Sequence, residues 1–134
     1  MKFSKEKPPV YEACHEKFGV SWSNGIIFTY GDTIHCKFKL HPQKIAHESV
    51  HVKQQLEYGV EKWWERYLID EQFRLEQELQ AYGAETIWIQ KNVRDFKDQV
   101  RRIEDIVKDL SSFTYGNIIS AEEARQLLLK KKIV

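Results

Sequence analysis

Val93, Phe96, Val100, Ile103, Val107 and Leu110 recur at intervals of 3, 4, 3, 4 and 3 residues. That spacing puts all of them on one stripe of a helix, and such a stripe has to be laid against another element. The C-terminal half of the chain therefore has to build its core from packed helices. Antiparallel neighbours within the chain are the expectation; a homo-oligomer formed through the 93–110 seam is the alternative.

The segments before and after the seam carry their own helix signals. Pro42 suits a first helical turn, and residues 43–58 read as helix up to Gly59. Val60, Trp63, Trp64, Tyr67 and Leu68 follow an i, i+3, i+4, i+7, i+8 pattern, so a second helix follows at once. Asp70 is a good N-cap for a third, running to about residue 91. Residues 111–119 read as a loop. Ser120 with Glu123 forms a capping box that opens a last helix, which ends in Lys130-Lys131-Lys132.

One region alternates instead. Ile26–Tyr30 and Thr33–Phe38 flank Gly31-Asp32, a two-residue hairpin signal of the II′ kind. In the second run Ile34, Cys36 and Phe38 share one face, and His35, Lys37 and Lys39 the other. The chain thus reads as a single helix-dominated α+β domain over 10–134, with an N-terminal hairpin whose 33–38 strand is an edge, and four to five helices. Residues 1–9, closed by Pro8-Pro9, read as a flexible lead-in.

Four Trp, six Tyr and seven Phe in 134 residues supply a substantial core and exclude a disordered chain. The formal net charge of +1 gives no pull toward nucleic acid or an anionic membrane. No apolar run approaches the ~18 residues of a membrane span. The start carries charge without an apolar h-region, so no signal peptide is read and a cytoplasmic protein is expected. Cys14 and Cys36 are too few for a disulfide framework and read as half-buried thiols.

The chemistry sits in His47-Glu48-Ser49-Val50-His51. An H-E-x-x-H run arises by chance in about one chain of this length in a few hundred. Here it falls inside a helix bounded by Pro42 and Gly59, with Ile45, Val52 and Leu56 at helical spacing. Residues four apart on a helix share a face, so His47 and His51 can both turn a nitrogen to one Zn²⁺. Glu48, rotated by about 100°, is a poor ligand but can take a proton from a zinc-activated water and pass it to a leaving amine.

A catalytic zinc, one per chain, wants a third protein ligand and an open position. No third His follows within 51–57. The remaining candidates are carboxylates on the helix that starts at Asp70: Glu71, Glu76, Glu78 and Glu85, of which Glu71, Glu78 and Glu85 share a face. Periodicity does not choose among them.

His47–His51, followed on a second helix by Glu78-Leu79-Gln80-Ala81, resembles the gluzincin metallopeptidases, the thermolysin-like clan. The resemblance implies that Glu78, in an E-x-x-A pattern, is the third ligand and that Ala81 lets the two helices approach. His51-Val52-Lys53-Gln54-Gln55 is similar to the H-V-x-Q-Q continuation of minimal gluzincin domains. With the WW-x-R-Y-L segment at Trp63–Leu68, the layout over residues 33–91 also resembles small proteins encoded by phages and prophages. Many clan members carry Asp or Asn four residues after the ligand Glu to orient the first histidine; this chain has Tyr82 there.

The expected activity is zinc-dependent hydrolysis of a peptide or protein substrate. Tyr115, in the 111–119 loop, is the first candidate to stabilise the oxyanion, with His35, Tyr82 and Arg74 behind it. Strand 33–38 is the candidate to take up an extended peptide by strand addition. Gln54 and Gln55, one turn beyond His51, either bond within the site or cap a polar face. Trp63, Trp64, Tyr67 and Trp88 read as core. The rival reading is a non-catalytic, zinc-stabilised interaction or virion-associated domain, in which His35 or Cys36 would close the fourth position.

Overall fold

A computed structural model of the chain describes residues 1–112 and 115–133, with side chains up to Leu129. Phe113 and Thr114 of the expected loop, and the side chains of Lys130-Lys131-Lys132, lie outside the described residues. The element order is β1 (Lys2–Ser4), α1 (Tyr11–Phe18), a 3₁₀ turn (Trp22–Asn24), β2 (Ile27–Tyr30), β3 (Thr33–Cys36), α2 (Pro42–Tyr58), α3 (Val60–Ile69), α4 (Glu71–Asn92), α5 (Phe96–Leu110) and α6 (Ala121–Ile133). The helix-dominated α+β class is what the sequence predicts, with six α-helices rather than four or five.

The local signals act where they are read. His41 caps α2 by accepting from the Gln43 N–H, and Pro42 fills the first turn. Asp70 Oδ1 accepts from the Phe73 N–H at 3.0 Å and starts α4. Ser120 and Glu123 exchange two bonds of 3.1 Å and start α6. Gly59, at φ +102°, breaks α2 from α3 in a conformation side chains resist. Gly31 holds φ +63° while Asp32 stays outside the left-handed region, as a II′ turn requires.

Two expectations about the sheet are overturned. Residues 2–4 are no free lead-in: they pair parallel to β3, with Phe3 opposite Ile34. The strand order is β1-β3-β2, so β3 is central. Strand 33–38 therefore cannot act as the edge that receives a peptide, since both its sides are taken. It also stops at Cys36, and Phe38, expected inside, is 58% exposed.

The core forms two apolar clusters. One joins Tyr11, Cys14, Phe28, Trp63, Trp64, Tyr67 and Phe73 around α1, β2 and α3. The other joins α4, α5 and α6 through Leu75, Tyr82, Ile89, Ile103, Ile106, Val107, Leu110, Tyr115, Ala124 and Leu128. The aromatics read as core are core: Trp63, Trp64 and Tyr67 are buried and Trp88 packs on the second cluster. The 93–110 seam is buried only in its second half. Val93 caps α4, and Phe96 and Val100 face outward at the start of α5. Cys14 and Cys36 are both buried and unbridged. No helix among the described residues is long and apolar enough to cross a membrane.

Candidate metal centre

The buried residues of α2 are His47, Glu48, His51, Gln54 and Gln55. Their spacing is that of a buried helix stripe, yet every member is polar. Burying such groups is costly unless each finds a partner. Here each does: among the described residues no buried side-chain nitrogen or oxygen lacks a hydrogen bond. The opposing face belongs to α4, which shares with α2 the largest interface between elements. Ala81 of α4 has no exposed surface, and the buried polar residues Glu78, Glu85 and Thr86 share its helix.

His47, His51 and Glu78 converge. His47 Nε2 lies 3.1 Å from Glu78 Oε1, His51 Nε2 lies 3.0 Å from the same oxygen, and the two Nε2 atoms are 3.2 Å apart. A near-equilateral triangle of two imidazole nitrogens and one carboxylate oxygen is what three ligands at ~2.0–2.1 Å around one small cation form. Among the described residues these three are the group able to hold a metal ion.

Each ligand is aimed from behind. Glu85 Oε1 accepts from His47 Nδ1–H at 3.0 Å, leaving Nε2 for the site. Gln54 Oε1 accepts from His51 Nδ1–H at 2.8 Å, while Gln54 Nε2 donates to Gln80 Oε1 and the Gln77 carbonyl. The Tyr67 hydroxyl donates to Glu78 Oε2. Tyr82 packs its ring against His47, 4.4 Å between centroids, and does not take the orienting place. Glu85, seven residues after Glu78, does.

Glu48, Glu78 and Glu85 are buried together, and Lys44 Nζ lies 3.0 Å from Glu85 Oε2. Acidic groups gathered this closely away from water favour a cation among them, whether imidazole protons or a divalent ion. Without an ion the histidines respond. Burial works to lower the His47 pKa, but the Glu48 charge and bonds to Glu78 and Glu85 push it up to about 10. His51 is likewise raised against its burial, chiefly by Glu78. Burial would raise Glu78, yet His51 and His47 hold it well below the carboxylate range.

Beside the triangle lies a cavity of about 240 Å³, walled by residues of both apolar clusters and by Gly25–Thr29. Glu48 Oε2 stands 3.6 Å from His47 Nε2, next to the ligand set and outside it. Its other oxygen, Oε1, accepts from the Thr29 hydroxyl at 2.9 Å. Tyr115 is buried and lines the same cavity; burial, with the nearby Glu78 charge, keeps it a phenol by raising its pKa well above the ordinary value.

The remaining candidates fall elsewhere. His35 Nδ1 is bonded to the Glu6 carbonyl. Arg74 bonds the Tyr67 and Leu68 carbonyls and lies over the Phe18 and Tyr67 rings. The Glu71 carboxylate packs against Gly116, and Glu76 pairs with Gln72. Neither His35 nor Cys36 joins the triangle, so no fourth protein ligand of the kind weighed for a closed site is present among the described residues. Gln55 is not a surface cap: its amide takes the Gly31 N–H at 2.7 Å and donates to the Thr29 carbonyl at 2.8 Å, tying the hairpin to α2.

Thr29, Tyr67 and the orienting role of Glu85 are what sequence reasoning missed. Glu85 carried a signal, sharing a helical face with Glu78. Thr29 and Tyr67 are brought in by tertiary packing and carried none. No family model matches the chain, and no curated protein and no solved structure matches it either.

Proposed function

We propose that the protein is a metal-dependent peptide hydrolase, with zinc held by His47, His51 and Glu78. The observation that carries this reading is the place of Glu48: buried, its Oε2 3.6 Å from His47 Nε2, yet outside the ligand set. A carboxylate serving only to balance charge would sit as Glu85 does, against a lysine and behind a histidine. The divalent ion supplies Lewis acidity to water and to a carbonyl.

The chain's own groups do the rest. Glu48 accepts the proton of the attacking water and returns it to the departing amine. Tyr115, a phenol on the cavity wall, donates to the oxygen on which charge develops. The edge of β2 facing the cavity takes the place of β3 in holding an extended peptide. The Thr29 carbonyl is already engaged by Gln55 and Trp64 and the Gly25 N–H by the Trp22 carbonyl, so a substrate would pair at Ile27, where β2 begins beside the cavity.

The test is metal content followed by cleavage of a fluorogenic peptide library. One zinc per chain with zinc-dependent cleavage is expected, and Glu48→Gln should keep the metal while losing about 10²–10⁴-fold in kcat. A Glu48→Gln protein with unchanged turnover would sink the reading. A non-catalytic, metal-stapled interaction domain is the second reading, favoured by the exposed apolar pair Phe96 (73%) and Val100 (44%) on α5. It predicts tight zinc binding, loss of fold on chelation and no cleavage by any zinc-loaded preparation.

A further inference from the structure

The hairpin reaches the Glu48 carboxylate through one hydroxyl. Thr29 is 2% exposed, and its Oγ1 donates to Glu48 Oε1 at 2.9 Å. Two contacts hold Thr29 itself, and a third holds the turn beside it. The Thr29 carbonyl accepts from Gln55 Nε2 at 2.8 Å and Trp64 Nε1 at 3.1 Å, and the Gln55 amide oxygen takes the N–H of Gly31 two residues on. A β-branched side chain on a strand has few χ1 options, so a fixed backbone here means a fixed hydroxyl. The Glu48 side chain, by contrast, has three rotatable bonds, and among the described residues its carboxylate is held by the Thr29 hydroxyl and lies near the His47 ring.

We propose that Thr29 is a positioning residue. By holding Oε1 of Glu48, it turns Oε2 toward the His47–His51–Glu78 triangle and keeps it there. The hairpin then has a task beyond peptide docking, since it sets the aim of the base. This inference rests on the proposed hydrolase reading, because it assigns Glu48 the proton-accepting role. A single displaced reacting group costs up to about 10²-fold when productive geometry is lost.

The experiment compares zinc-loaded wild type, Thr29→Val and Thr29→Ser. Valine keeps the shape and removes the donor; serine keeps the donor. Each protein is read for kcat and KM on the best library peptide, for zinc affinity by chelator competition, and for binding of acetohydroxamate. That small chelator carries an acidic N–O–H group and needs a correctly aimed base beside the metal, so its affinity reports Glu48 without turnover.

Thr29→Val is expected to lose about 10- to 100-fold in kcat with KM within about twofold. It should bind acetohydroxamate about tenfold more weakly, with zinc affinity unchanged. Thr29→Ser should restore both to within about threefold. Wild-type kcat and hydroxamate affinity in Thr29→Val overturn the proposal. So does a serine variant as impaired as valine, or zinc affinity falling in step with activity, since either marks a role in shape alone. Should valine not fold, Thr29→Ala is read against serine by the same criteria. A wild type that binds zinc and cleaves nothing defeats the hydrolase reading, and the hydroxamate arm still decides the role of Thr29.

Discussion

Glu85 Oε1 lies 3.0 Å from His47 Nδ1, and its partner oxygen takes Lys44 Nζ at 3.0 Å and Gln43 Nε2 at 2.5 Å. One buried carboxylate thus fixes the tautomer of a ligand and is itself fixed by two residues from the first turn of the same helix. Outer partners of this kind are worth about 10- to 100-fold in metal affinity. Glu85→Ala should weaken zinc binding by that amount in a chelator-competition titration. Glu85→Gln, which keeps an acceptor for Nδ1–H, should lose less. Unchanged affinity in the alanine variant would remove Glu85 from the site.

Removing the metal should expose a pH dependence of stability with a definite sign. His47 is raised to about 10 in the folded, ion-free protein, and His51 is raised as well. Groups raised on folding contribute fully below their unfolded value of ~6.5 and lose that contribution as pH climbs through the folded one. The chelated protein should therefore melt at progressively lower temperature from neutral pH toward pH 10. Glu78, depressed on folding, acts at the other end: its contribution is present above its ordinary value and is lost as pH falls through the folded one. Zinc replaces the imidazole protons, so the loaded protein should lack the alkaline loss. Thermal melts from pH 6 to 10, with and without chelator, make the comparison.

Metal uptake and proton release should be coupled for the same reason. At neutral pH the ion displaces the protons held between His47, His51 and Glu78. Calorimetric titration in buffers of different ionisation enthalpy should give more than one proton released per zinc. Release of none would mean that the histidines are neutral in the ion-free fold.

Tyr115→Phe separates chemistry from assembly at the cavity wall. The phenyl ring keeps its packing near Tyr82, 6.5 Å between centroids, and only the hydroxyl goes. Loss of an oxyanion donor costs about 10²–10³ in kcat. Zinc affinity should barely move, and the melting temperature should fall modestly as the bond between this hydroxyl and Tyr82 is lost. A phenylalanine variant with full turnover would return Tyr115 to the core alone.

The two halves of α5 should respond differently to truncation. Leu110 has no exposed surface and Val107 almost none, so Leu110→Ala should cost about 2–5 kcal/mol in denaturant unfolding. Phe96, 73% exposed, should cost no more than about 0.5 kcal/mol when cut to alanine. A larger loss at Phe96, dependent on protein concentration, would reveal an oligomer formed through this face.

Much of this arrangement was legible because the signals are local. Caps at Pro42, Asp70 and Ser120 act within one helical turn, the Gly31-Asp32 turn within four residues, and H-E-x-x-H within five. What was not legible depends on distant partners. Three residues of β1 show no period, and their order comes from pairing with β3 some thirty residues away. The stripe from Val93 to Leu110 is continuous in sequence, yet α5 starts only at Phe96, and its first turns have no neighbour to cover them. Placing β1 beside β3 also decided which strand keeps a free edge, a matter no hairpin motif can express. At the candidate site, His47, Glu48, His51 and Glu78 sit on motif positions, whereas Glu85, Gln54, Tyr67 and Thr29 reach them only once α2, α3, α4 and the hairpin meet.

The two apolar clusters are separate, and the candidate site touches both, His47 against Tyr82 and His51 against Trp63. An ion held there would be the rivet at their joint. A protein built this way has a soft plane through its middle whenever the rivet is missing. Metal loss would first be felt as slackening between two intact halves, with amide exchange rising along α2 while α5 and α6 stay protected. Metal supply would then govern how stiffly the molecule holds itself, apart from any reaction at the site.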